Sequence, residues 1–120
     1  MIGHILIIDN KPEWINFTAA DLGLTFEVEL ATTSEAALFK LTETRYDLII
    51  ASSHYSNILE TIRKKYPHQR VVVATGQESI QEAIRVFRLG ALDYFAKDFR
   101  SDVMSRIVRE ALRKPVITPA

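Results

Sequence analysis

Five short apolar runs, each followed by a stretch of helical period, constrain this chain more than any other feature of its sequence. A strand that is apolar at consecutive positions needs cover on both faces, and parallel neighbours need a long return connection between them. The alternation therefore predicts an α/β fold, a single doubly wound five-stranded parallel sheet with helices on both faces. At 120 residues, 48% of them hydrophobic, the chain is the right size for one such core.

The runs can be followed in order. Ile5 to Ile8 forms the first strand and ends in Asp9 and Asn10, and Pro12 suits a first helical turn, where a missing N–H is tolerated. A helix from Glu13 to about Leu22 buries Trp14, Phe17 and Leu22 and stops at Gly23. Phe26, Val28 and Leu30 alternate with Glu27 and Glu29, the period of a strand with one exposed side, which places the second strand at an edge. Thr32 and Glu35 read as a capping box for a second helix facing inward through Ala36, Ala37, Leu38 and Leu41. Leu48 to Ala51 is the third strand and delivers Ser52. Ser53 to Ser56 then lead straight into a helix from about Asn57, cap-paired with Glu60, to Tyr66, burying Ile58, Leu59 and Ile62. Val71 to Ala74 is the fourth strand; with the first and third it is apolar enough to be central. Ser79 and Glu82 repeat the capping box before a fourth helix that buries Ile80, Ala83, Ile84 and Phe87 and closes at Gly90. Asp93 to Ala96 and a helix from about Ser101 to Arg113 complete the set.

Composition removes several function classes. Fifteen basic and fifteen acidic residues leave no net charge, so no global field draws the chain to nucleic acid or an anionic membrane. Without cysteine there is no disulfide, thiolate nucleophile or cysteine metal site, which fits a reducing cytoplasm. No apolar run approaches the ~20 residues of a membrane span, and the N-terminus has no export signal, so a soluble cytoplasmic chain is expected. His4, His54 and His68 lack zinc-site spacing and are expected on the surface or in loops. Chemistry in open parallel sheets gathers beyond the carboxyl ends of the strands. Those ends carry Asp9, Asn10, Ser52, Thr75 and Lys97, which are expected around one mouth.

Across about residues 4 to 113 the chain resembles the receiver domains of two-component response regulators, a flavodoxin-like (βα)5 family. The opening Ile-Leu-Ile-Ile-Asp-Asn-Lys-Pro is similar to the family's acidic pair followed by proline. Val-Val-Val-Ala-Thr-Gly is similar to its fourth strand with a hydroxyl, and Gly-Ala-Leu-Asp-Tyr-Phe-Ala-Lys to its fifth strand with a switch aromatic, Tyr94, and a lysine, Lys97. The stretch from Thr75 to Phe99 resembles the receivers of enhancer-binding transcriptional activators. The resemblance implies an aspartate at the end of strand three that accepts a phosphoryl group from a histidine kinase, aided by magnesium on the acidic pair.

This sequence departs from that pattern at the acceptor itself. Asp9 matches the first acid, Asn10 replaces the second, and Ser52 stands in the acceptor's place, while Thr75 and Lys97 match the residues that would contact the phosphoryl oxygens. One carboxylate is a weak basis for magnesium, and Ser52 without a neighbouring base is a poor nucleophile. A degenerate phosphoryl pocket is thus expected, with no catalytic residue, no enzyme activity, no cofactor, magnesium weak or absent, and Lys97 paired with Asp9. The plainer readings are a strand terminator for Ser52, a backbone cap for Thr75 and a half-buried strand aromatic for Tyr94. The loop after Ser52 is shorter than the family pattern. Asp98 replaces a proline that commonly follows a cis bond, so a trans bond and a reshaped loop are expected there.

Partner contacts in the family use helix four, strand five and helix five. Here Val86 and Leu89, outside the apolar set of helix four, either form an exposed patch beside Tyr94 or widen the buried stripe. Arg85, Arg88, Arg106 and Arg109 would rim that face, which is expected to hold a protein partner, an output domain or a second copy; no nucleic acid and no membrane are expected on this domain. Residues 1–114 read as the receiver-like domain and 115–120 as a tail or linker to a further output domain. The expected function is phosphorylation-independent signalling through protein contacts. The rival is a small-molecule or anion sensor using Lys97, Thr75 and Ser52, and an enzyme of flavodoxin-like fold has no phosphate-cradling glycine loop to support it.

Overall fold

The computed structural model describes residues 3–116, so the start of the chain and residues 117–120 of the expected tail lie outside the described residues. Strands β1 (His4–Ile8), β2 (Glu27–Ala31), β3 (Leu48–Ser52), β4 (Val71–Thr75) and β5 (Tyr94–Ala96) alternate with helices α1 (Pro12–Leu22), α2 (Ser34–Glu43), α3 (Ile58–Lys65), α4 (Ile80–Arg88) and α5 (Val103–Arg113). All pairings are parallel, in the order β2-β1-β3-β4-β5. The three apolar strands are central and β2, with its glutamates, is an edge, as their sequences require.

Successive strand residues point to opposite faces, and this divides the core in two. Leu6, Ile8, Ile49, Ala51, Val71 and Val73 pack with Ala37, Leu41, Ile58, Leu59, Ile62 and Val86 from α2, α3 and α4. Ile5, Ile7, Leu48, Ile50, Val72 and Ala74 pack with Trp14, Leu22, Met104, Val108 and Ala111 from α1 and α5. The sheet is therefore covered twice.

Several local expectations are corrected. Thr33, not Thr32, caps α2: its Oγ1 accepts from the Ala36 N–H at 3.0 Å. Asn57 makes no side-chain cap, because the 3₁₀ turn Ser53–Tyr55 already brings the chain round, and the Ser56 carbonyl accepts from the Leu59 N–H. Phe17 is only half-buried, its ring tilted against that of Phe99 with centroids 5.5 Å apart. Helix α5 begins two residues later than expected, after Asp102, whose φ of 70° is left-handed backbone that aspartate tolerates better than most residues. His4 lies within β1, its ring against Tyr46 and its Nε2 paired with Glu29, so it is not a loop residue.

The largest correction concerns α4. Ile80, Ile84 and Phe87, expected inside, are 80%, 47% and 48% exposed, whereas of the two readings open for Val86 and Leu89 it is the buried one that holds: Val86 is fully buried and Leu89 partly buried against the same core. Periodicity defines a stripe but not which side of it meets the sheet. Polar anchors decide that here, as described below.

Candidate functional site

The strand order reverses between β1 and β3, so their carboxyl ends border the switch-point crevice of an open parallel sheet. Register sets the height of each residue there. Ile8 pairs with Ala51, Ser52 with Ala74 and Thr75 with Ala96, which brings Asp9, Ser52, Thr75 and Lys97 to one rim. The Asp9 N–H still donates to Ala31 O at 3.1 Å and the Lys97 N–H to Thr75 O at 2.8 Å, so both residues are held by strand-like backbone.

Asp9 is fully buried and both of its oxygens are engaged. Oδ1 accepts from the backbone N–H groups of Asn10 at 2.7 Å and Lys11 at 3.2 Å, and Oδ2 lies 2.7 Å from Lys97 Nζ. The ammonium also sits 5.1 Å from the centre of the Trp14 ring, a cation–π arrangement. A largely covered lysine held between a carboxylate and an indole has little freedom to approach anything else. Asn10 contributes its backbone to Asp9 and is itself exposed.

Ser52 is buried, and its Oγ has no hydrogen-bond partner among the described residues. The Thr75 hydroxyl is spent locally: it accepts from the Gln77 N–H at 3.2 Å and donates to Gln77 O at 3.0 Å, closing the turn after β4. A shallow groove beside them is lined by His54, Thr75, Glu78 and Glu82, among others. Among the described residues no three His, Asp or Glu side chains converge as a metal-ligand group. A larger depression between Tyr46, Tyr66, His68 and Arg70 lies at the opposite ends of the strands and includes none of these residues.

Tyr94 links this rim to α4. Its hydroxyl accepts from the Ser79 N–H at 3.0 Å and donates to Glu82 Oε1 at 2.7 Å, while Ser79 Oγ accepts from the Glu82 N–H at 3.3 Å. The tyrosine thus occupies the place that the Glu82 carboxylate would take in a capping box. Burial, and then the Glu82 carboxylate, push the Tyr94 hydroxyl above its usual value. At the other end of α4, buried Arg63 donates to the carbonyls of Leu89, Gly90 and Pro67, which satisfies the helix terminus. Arg85 donates to Ser56 Oγ. After β5, every peptide bond of the loop is trans, and the Asp98 carboxylate accepts from the Arg100 backbone and guanidinium, giving the turn that proline would otherwise set.

Of the residues singled out in the sequence, Asp9, Ser52, Thr75 and Lys97 share the rim, Asn10 faces outward, Tyr94 is tied to α4, Val86 is core, and Arg106 is exposed on α5. Trp14 was legible as core but not as the ring beneath Lys97, and nothing in its spacing signals that contact. Arg63 was missed altogether; a charged residue on the apolar side of a short helix was the available signal.

The family described as the response regulator receiver domain matches residues 5–109. An NtrX-like response regulator of Rickettsia felis is 30% identical over 115 residues, covering 89% of this chain and 24% of that protein. The chain therefore spans about a quarter of the length of such relatives. NtrX of Brucella abortus, solved in complex with ADP, superposes with a TM-score of 0.85 at 25% identity, over 93% of this chain and 26% of that one. A response regulator from Thermotoga maritima superposes with a TM-score of 0.88 at 21% identity over 95% of this chain and 100% of that one, which shows the shared fold. No helix among the described residues is long and apolar enough to cross a membrane.

Proposed function

The chain belongs to the response regulator receiver family, and from that premise we propose that it is a receiver working in two-component signalling without taking up a phosphoryl group, its pocket closed by its own lysine. The observation that carries this reading is the Lys97–Asp9 pair, 2.7 Å apart beside a Ser52 that has no carboxylate to offer. The residues present do not fit magnesium. That ion wants several hard oxygens and usually one or two free carboxylates, whereas both Asp9 oxygens are taken and Asn10 is neutral. Ser52 has no adjacent base to deprotonate it, so attack on an acyl phosphate or phosphohistidine lacks a nucleophile.

On this reading the domain is not an enzyme and acts in the cytoplasm through contact with a protein partner or an output domain further along a longer chain. The anion-sensor reading is weaker: Lys97 is already neutralised, and the groove beside Thr75 is lined by Glu78 and Glu82, which repel anions. Incubation with acetyl phosphate and magnesium, followed by intact mass, tests the proposal together with thermal unfolding in magnesium and beryllofluoride. No added mass and no change in midpoint are expected. Addition of one phosphoryl group, or stabilisation by beryllofluoride, overturns it; stabilisation by an organic anion alone promotes the sensor reading.

A further inference from the structure

The cleft at the amino ends of the strands has a volume of about 820 Å³, within the size range of small-molecule sites, and lies at the far end of the sheet from the rim of Asp9 and Lys97. Two loops frame it: residues 44–47, between α2 and β3, and residues 66–70, between α3 and β4. Both are tied down. On the first, the Asp47 N–H donates to His4 O at 2.8 Å and the Asp47 carboxylate accepts from the His4 N–H at 2.7 Å. On the second, the Arg63 guanidinium donates to Pro67 O at 2.7 Å and the Gln69 N–H to Tyr66 O at 2.9 Å. A cleft with fixed walls takes up a ligand without first having to order them.

The lining names the chemistry of the occupant. Tyr46, buried and packed on the His4 ring with centroids 4.7 Å apart, and half-buried Tyr66 supply aromatic wall. Arg45 comes from one loop and His68 and Arg70 from the other, whereas Asp47 is the one carboxylate of the lining and is already engaged with His4. Among the described residues neither arginine is in an ion pair, and the Arg70 guanidinium reaches only the Lys114 carbonyl, at 3.4 Å. The carbonyl ends of α2 and α3 also point this way, but Lys40, Arg63, Lys64 and Lys65 in their own last turns offset those dipoles. The two guanidinium forks are thus left for phosphate or carboxylate oxygens. We propose that this cleft binds a small aromatic anion, a planar ring seated against Tyr46 and Tyr66 with its phosphate or carboxylate on Arg45 and Arg70. Because Arg63 bridges Pro67 in the cleft wall to the Leu89 and Gly90 carbonyls, an occupant is joined to the end of α4 without passing through the phosphoryl pocket. The site goes beyond the reading above and does not depend on it.

Phenyl phosphate and benzoate each carry an anionic group on a ring, while phenol and inorganic phosphate carry the parts separately. Followed by the amide chemical shifts of the isotope-labelled chain, phenyl phosphate or benzoate at millimolar concentration should move residues 44–47 and 66–70 and leave Asp9, Ser52 and Lys97 in place. The better of the two, which identifies the anionic group, should bind about tenfold more tightly than phenol or inorganic phosphate. Arg45→Gln and Arg70→Gln should each weaken that binding about tenfold with the far-UV spectrum retained, Arg45 being exposed and Arg70 partly so. Tyr66→Ala should bring the ring anion down to the level of inorganic phosphate, and Thr75→Val should change nothing. No shift with either ring anion, equal binding of inorganic phosphate, or binding that survives both arginine substitutions overturns the site. Shifts at Asp9, Ser52 and Lys97 that Thr75→Val abolishes also overturn it, and an organic anion supports the sensor reading only there. A response to beryllofluoride at Ser52, with phenyl phosphate still bound at Arg70, would remove phosphorylation independence and leave the cleft standing.

Discussion

At the residue scale the site is governed by how few charges it holds. Asp9 and Lys97 are both largely withdrawn from water, and removing one partner leaves the other buried alone, at a cost of about 3 to 5 kcal/mol. Asp9→Asn and Lys97→Met should each lower stability by that order in denaturant titrations. The double variant should be less damaged than the sum, because no lone charge remains; strict additivity would mean that the pair is not coupled. Ser52→Asp with Asn10→Asp should do the opposite of the natural sequence. Asp9 and the new carboxylate at position 52 then share one lysine beside a further carboxylate at position 10, their repulsion lowers stability without metal, and magnesium should raise the thermal midpoint where the unaltered chain shows no change. A variant equally indifferent to magnesium would mean that the shortened loop after β3, not the missing charge, bars the ion.

At the element scale α4 shows where sequence reading succeeds and where it stops. Its boundaries follow from Ser79 as cap and from Gly90, whose φ of 94° favours glycine and whose added Cβ would lie 2.5 Å from Arg63 Nε. Gly90→Ala should therefore destabilise by more than about 1 kcal/mol, measured by chemical unfolding. Its orientation did not follow, because two apolar sets compete on one helix and the larger one is not the buried one. Tyr94 settles the matter from another element, a tertiary contact that local spacing cannot carry. Tyr94→Phe should cost about 1 kcal/mol by losing the Glu82 and Ser79 bonds. The raised Tyr94 value also fixes a pH signature. A proton held more tightly in the folded state contributes stability that is complete below the ordinary tyrosine value and lost as pH rises through the raised one. The unaltered chain should therefore lose more stability in alkali than Tyr94→Phe does.

At the scale of the whole molecule, alternation alone was enough to give the parallel sheet and its central strands, since dense apolar runs need cover on both faces, and the carboxyl ends of those strands then bring Asp9, Ser52, Thr75 and Lys97 to one rim; the full strand order and the register came only from the structure. What stayed hidden were most of the side-chain contacts between distant elements beyond the Asp9–Lys97 pair, above all Lys97 over Trp14. That contact makes the only tryptophan of the chain a reporter placed within the pocket. Because α1 carries Trp14 and the end of β5 carries Lys97, a pocket that rearranged on ligand binding would move the ammonium relative to the ring and change its emission. A domain held in one state by its internal ion pair should instead show Trp14 fluorescence unchanged by magnesium, acetyl phosphate or beryllofluoride, and Trp14 fluorescence and far-UV circular dichroism should report one coincident unfolding transition. Asp9→Asn, which frees Lys97, should shift the emission of the folded protein. An unchanged spectrum in that variant would show that the ion pair does not hold the lysine over the ring, and the single-state account of this receiver would fail with it.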